Sequence, residues 1–182
     1  SVKSRRYRFC GQIVIPIVSK EISVTEDGLS NQRIRNILES TETIAMVGLS
    51  GNWSRPSYFA AKYLMEKGYT VIPVNPHYKE ILGRKSYASL REIDGPVDVV
   101  NLFQRSERVA DFLKDAMALK ASAFWMQLGI VNKEAAEKAM DLGMVPVMDR
   151  CMKIEYARLF GGLTWSGVNT GIISAKRPNK IP

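Results

Sequence analysis

Five short apolar runs, separated by stretches with helical spacing, constrain this chain more than any other feature. The runs fall at 43–47, 69–74, 97–103, 121–126 and 144–148. Each has strand length, and the segments between them carry helix signals. Ser30 caps a helix through about Glu39, with Ile34, Ile37 and Leu38 on one face. Pro56 stands in the first turn of a helix over 56–67, which Gly68 ends. Residues 77–93 read as a polar connection with a short helix around 88–93. Residues 107–119 place Val109, Phe112, Leu113 and Ala116 on one helical face. Asn132 caps a helix that Gly143 closes, and a last helix runs over 150–159. Such alternation implies right-handed crossovers and a parallel sheet covered on both faces. The fold class expected is α/β, a Rossmann-like doubly wound sheet of about five strands in a three-layer α/β/α stack. The expected strand order is 3-2-1-4-5, with the switch point between the first and fourth strands. Ligands of such sheets bind beyond the carboxyl ends of the strands. That selects the loops 48–56, 75–79, 103–106, 127–131 and 149–151.

The net charge of +8 suggests nucleic acid until it is located. Residues 1–26 hold five Lys/Arg and two acids, a net +3, and residues 175–182 hold three more cations. The excess therefore sits on the ends, and the body has no basic stripe with interleaved aromatics. The domain reading is a basic N-terminal arm over 1–26, a nucleotide-binding body over 27–160 and an extension over 161–182. No apolar run has the length of a membrane span. The two cysteines, Cys10 and Cys151, form no disulfide framework and suit a reducing cytoplasm. No His/Cys/carboxylate cluster has metal-ligand spacing.

The first strand leads into Gly48-Leu49-Ser50-Gly51-Asn52-Trp53-Ser54-Arg55-Pro56-Ser57. Gly48 and Gly51 let backbone approach a ligand closely. The amides and positive dipole end of the next helix favour a pyrophosphate. Ser50 offers a hydroxyl, and Arg55 grips phosphate oxygens through two parallel bonds. The turn is neither G-x-G-x-x-G nor a P-loop, and no Lys-Ser/Thr pair stands beside it, which argues against nucleotide hydrolysis. An NAD site usually ends the second strand with an acid that bonds the ribose. Here that strand runs into Val74-Asn75-Pro76-His77-Tyr78-Lys79. A ribose bearing a phosphate fits this better, which leaves NADP and coenzyme A open.

Several motifs in order resemble the small CoA-binding domain proteins, relatives of the nucleotide domain of the succinyl-CoA synthetase α-subunit. They are Val47-Gly48-Leu49-Ser50 with Arg55-Pro56-Ser57-Tyr58, Val71 through Pro76, and Gly95 through Val100. Trp125-Met126-Gln127-Leu128-Gly129 and Met148-Asp149-Arg150-Cys151 continue the series. The resemblance covers about residues 28–160. It implies coenzyme A or an acyl-CoA held along the strand ends. Gly48, Leu49, Ser50, Arg55, Pro56 and Ser57 would serve the pyrophosphate. Asn75, Pro76 and Lys79 would flank the adenosine. Phe103 and Arg105 would border the adenine or phosphates, and Gln127 the pantetheine arm. The synthetase phosphorylates a histidine. The single histidine here, His77, follows the second strand and not the loop where that chemistry occurs, which argues against ligase activity.

Cys151 is the one cysteine of the body. A helix N-terminus and the neighbouring Arg150 favour a thiolate, which makes it a redox candidate able to form a mixed disulfide with CoA. The competing reading is a structural cysteine. Asp98 reads as a turn residue, and Trp125 and Met126 as core. The turn-rich tail at 165–171 either packs over the sheet edge or forms a homodimer contact. The leading expectation is a CoA carrier, sensor or thiol-redox protein without catalytic apparatus. The alternatives are an NADP-dependent oxidoreductase and a nucleotide-regulated interaction module.

Overall fold

The computed structural model of the protein describes residues 29–161. The basic segment 1–26 and the tail at 165–171 lie outside the described residues. Ser30 accepts the Arg33 amide and opens helix α1, Asn31–Ser40. Strand β1, Thr43–Val47, follows, then α2, Pro56–Glu66, with proline in its first turn. Strand β2, Thr70–Val74, leads into a hairpin of β3, Glu80–Ile81, and β4, Arg84–Lys85. The sequence reading missed this hairpin. Its turn residues Leu82 and Gly83 both have positive φ, 54° and 71°, the conformation that matches the twist of paired strands. The short helix expected around 88–93 is a single 3₁₀ turn, Leu90–Glu92.

Strand β5, Val99–Leu102, comes next, then a 3₁₀ segment, Ser106–Phe112, and α3, Leu113–Ala118. The helix expected over 107–119 is thus α-helical only in its second half. Strand β6, Ala123–Met126, α4, Lys133–Asp141, strand β7, Val145–Val147, and α5, Met152–Phe160, complete the body. Asn132 caps α4 by accepting the Ala135 amide at 2.9 Å.

Among the described residues, five strands form one parallel sheet in the order β2-β1-β5-β6-β7. This confirms the doubly wound class and corrects the strand order. The third strand of the sequence reading pairs with the first, so the order is 2-1-3-4-5. The switch point lies between β1 and β5, not between the first and fourth strands. Pro73 supplies the physical reason. Its carbonyl points away from β1 and accepts the Tyr87 amide at 3.0 Å, so its missing N–H faces the same outer side. A further strand there would lack a ladder bond, and proline is confined to edge strands for that reason. The other edge strand, β7, also carries a proline, Pro146.

Alternation along the strands divides the core. Ala45, Val47, Val100, Leu102, Phe124 and Met126 face α3, α4 and the 3₁₀ turns. Ile44, Met46, Val99, Ala123 and Trp125 face α1, α2 and α5. The central strands β5 and β6 are buried along their whole length. Asp98 accepts the amides of Glu42 and Thr43, each at 2.8 Å, and aligns the starts of β5 and β1. Its role is the turn-like structural one that the sequence indicated.

Candidate functional site

The turn after β1 is built largely by its own polar side chains. Gly48 has φ +82°, and its amide donates to the Val74 carbonyl at 2.9 Å. A Cβ here would lie 2.4 Å from the Phe103 carbonyl oxygen. Glycine therefore allows the ends of β1 and β5 to meet at the switch point. Leu49 buries its side chain in the core, leaving only backbone to a ligand. The Ser50 amide donates to Ser57 Oγ at 3.1 Å, and Ser50 Oγ accepts the Asn52 amide at 3.1 Å. Asn52 Oδ1 accepts from both the amide and hydroxyl of Ser54. Ser50 and Ser57 thus hold the turn in shape. Arg55 is exposed at the N-cap of α2, and Pro56 follows. The positive helix end and this guanidinium stand together at the surface.

Across the turn, Asn75 Nδ2 donates to the Leu49 carbonyl at 2.8 Å, and its Oδ1 accepts the His77 amide at 3.0 Å. Its side chain, expected beside an adenosine, ties the β1 and β2 turns together. Pro76, His77 and Lys79 are exposed. The Tyr78 ring lies over Gly51, so close that a Cβ there would come within 2.6 Å of it.

Beside the turn, a cleft of about 1070 Å³ opens between α2, the loops after β5 and β6, and the first turn of α5. Ser54 and Pro56 connect the turn to it, and Phe103, Arg105, Gln127 and Cys151 line it. The structure therefore brings together Pro56, Phe103, Arg105, Gln127 and Cys151 from the sequence expectation. Gly48, Leu49, Ser50, Arg55 and Ser57 of the turn do not line this cleft, nor do Asn75, Pro76 and Lys79. Gln104, Leu128 and Ile130 lie in loops the sequence selected, but the lining from the helices was missed. Helix α2 contributes Phe59, Lys62, Tyr63 and Glu66, and α5 contributes Lys153 and Ile154. A signal existed: Phe59, Tyr63 and Glu66 recur at helical spacing, on a stripe other than the buried Ala60, Ala61 and Leu64. Burial, then the neighbouring Tyr156, pushes the Tyr63 phenol up from its ordinary value, which keeps its hydroxyl a donor. Among the described residues, Lys62, Arg105 and Lys153 have no ion-pair partner.

Cys151 caps α5 with its carbonyl, which accepts the Glu155 amide at 2.9 Å, and its thiol is half-buried at the cleft. Arg150, expected to act on that thiol, directs its guanidinium to Glu155 at 3.5 Å. Glu155 is buried and also pairs with Arg158. Trp125 is fully buried and donates to the Arg150 carbonyl at 2.6 Å, a core role as expected.

The chain matches the model of the CoA binding domain over residues 42–157. It is 41% identical over 128 residues to the uncharacterized protein YneT of Bacillus subtilis (strain 168), covering 70% of this chain and 95% of that one. Its structure is similar to that of a hypothetical protein from Pyrococcus horikoshii OT3, with TM-score 0.72 and 39% identity over 78% of this chain and all (100%) of the other. A cell-free-expressed protein from Thermus thermophilus, ID.343, has TM-score 0.69 and 35% identity, covering 72% and 100% of the two chains. Motif order, switch-point geometry and these likenesses agree, and the chain belongs to the CoA binding domain family.

Proposed function

We propose that this domain binds coenzyme A, free or acylated, in the cleft beside α2. The observation that carries the reading is the composition of that cleft: three cations without ion-pair partners among the described residues, against one acid, Glu66, and apolar walls, opening from a helix N-terminus. A ligand with several phosphates and a long, mainly apolar arm satisfies both halves. Arg55 and the start of α2 take the pyrophosphate, with the Ser50 turn as its backbone cradle. Arg105 takes further phosphate charge. The arm runs between Phe59 and Tyr63 on one side and Ile130 and Ile154 on the other, over Gln127 and toward Cys151. Lys79 stands beyond the cleft on the β2 side, where an adenosine phosphate would be met. The domain acts as a carrier, sensor or thiol-redox protein in the cytoplasm. His77 is exposed and does not line the cleft, so this reading gives it no role as a general base there.

Thermal unfolding of the full chain with CoA, acetyl-CoA, dephospho-CoA, NADP and NAD tests this. A ligand at a hundred times its Kd adds about 2.7 kcal/mol. For a body of about 130 residues that raises the midpoint by roughly 10 °C. A shift with CoA and none with NAD is expected. A shift with NADP and none with CoA would replace this reading with the oxidoreductase one.

A further inference from the structure

The floor of the cleft carries a buried chain of polar groups whose direction is set from inside the protein. Asn101 lies in the central strand β5 with no exposed surface, on the face that meets α5. Its Nδ2 lies 3.7 Å from the thioether sulfur of Met152, and its Oδ1 accepts from Gln127 Nε2 at 2.8 Å. Gln127 is only 3% exposed and lines the cleft. A thioether has no proton and can only accept. The Asn101 atom facing Met152 must therefore be its amine. That turns the Asn101 oxygen toward Gln127, and the Gln127 amine toward Asn101. The oxygen of Gln127, Oε1, is then the atom left over. Among the described residues it has no partner, yet no fully buried side-chain oxygen or nitrogen lacks one. Oε1 is thus the part of this side chain that reaches the cleft.

We infer that Gln127 presents a fixed hydrogen-bond acceptor to the ligand, and that Asn101 is the positioning residue that holds it so. A freely turning glutamine would offer a donor or an acceptor alike. This one selects a donor, and it does so without the entropy loss of fixing a loose side chain on binding. The ligand group it selects is an amide N–H on an extended arm. Burying an asparagine at the centre of a sheet is unfavourable unless its hydrogen bonds are made, and this role explains its presence. The inference rests on the CoA reading, because the pantetheine arm supplies the amide.

Three ligands separate the two claims: CoA, phosphopantetheine, which has the arm without the nucleotide, and adenosine 3′-phosphate 5′-diphosphate, which has the nucleotide without the arm. Calorimetry with the full chain reads their affinities. Gln127→Met keeps the volume and removes the acceptor. A lost neutral hydrogen bond weakens CoA and phosphopantetheine by about fivefold and leaves the nucleotide unchanged. Asn101→Leu weakens the arm ligands similarly, and adds nothing when combined with Gln127→Met, because both act through one oxygen. Unchanged arm affinity in Gln127→Met, with CoA still bound by the wild type, overturns the inference and leaves the CoA reading standing. Equal losses for the nucleotide and the arm overturn it too, since they would mark a general structural defect. No CoA binding by the wild type overturns the CoA reading and this inference with it. Met152→Leu gives an independent check, since it keeps Asn101 and Gln127 but removes the acceptor that sets their direction. It weakens phosphopantetheine and leaves the nucleotide unchanged; wild-type affinity for phosphopantetheine in this variant would show that the sulfur does not set the direction.

Discussion

Gly48 and Gly143 share one backbone conformation and differ in what surrounds them. Both have φ +82°. A Cβ at Gly143 would meet nothing within 4 Å, whereas at Gly48 it would lie 2.4 Å from the Phe103 carbonyl oxygen and 3.2 Å from its carbon. Gly143→Ala therefore carries only the left-handed strain of an L-residue, about 1–2 kcal/mol. Gly48→Ala carries that strain and also forces the backbone of β5 away from β1, at a further ~1–3 kcal/mol typical of overpacking. A body of about 130 residues has an unfolding entropy near 0.27 kcal/mol/K. Gly143→Ala should lower the thermal midpoint by roughly 4–7 °C, and Gly48→Ala by roughly 7–18 °C. Circular dichroism melts of both variants in the full chain measure this. CoA affinity should fall in Gly48→Ala alone, because only there does the phosphate turn shift. Equal melting points for the two variants would refute the close approach of β1 and β5 as the reason for Gly48.

Tyr69 donates to the Leu38 carbonyl at 2.8 Å, and burial, then Tyr156 and Glu39, raises its pKa above 10.0. Stability is fully present below pH 10 and falls as pH rises beyond it, because the unfolded phenol ionises first. Tyr69→Phe should cost about 1 kcal/mol at neutral pH and flatten that alkaline decline; urea titrations at pH 8 and 11 would expose an unchanged slope. Incubation with CoA disulfide should add the mass of one CoA, as the Cys151 thiolate attacks one sulfur and expels CoA thiol. Cys151→Ser should abolish the adduct, and an adduct that persists in this variant sits on Cys10. Lys79→Ala should erase any preference for CoA over dephospho-CoA, measured by calorimetry; an unchanged preference removes Lys79 from the site.

Much of the fold was legible because its signals are local. Ser30, Pro56, Asn132 and Gly143 mark helix ends through their own backbone chemistry, and the apolar runs mark strands through burial on both faces. The family was legible for a related reason: its motifs are short contiguous runs that join the strands to the loops beside them. The 3₁₀ segment Ser106–Phe112 was not legible, since its apolar spacing resembles that of an α-helix. Strand order was decided in the tertiary structure, where Pro73 can be tolerated only at an edge. The site divides the same way. Sequence indicated the turn and the residues beside it, but not that Asn75 would spend its side chain on backbone. It gave no sign that Asn101, placed among valines and leucines, would aim Gln127 at the cleft. Local propensity determines which segments become helices and strands. Which side chains face a ligand depends on contacts between residues far apart in the chain, and those exist only once the sheet has assembled.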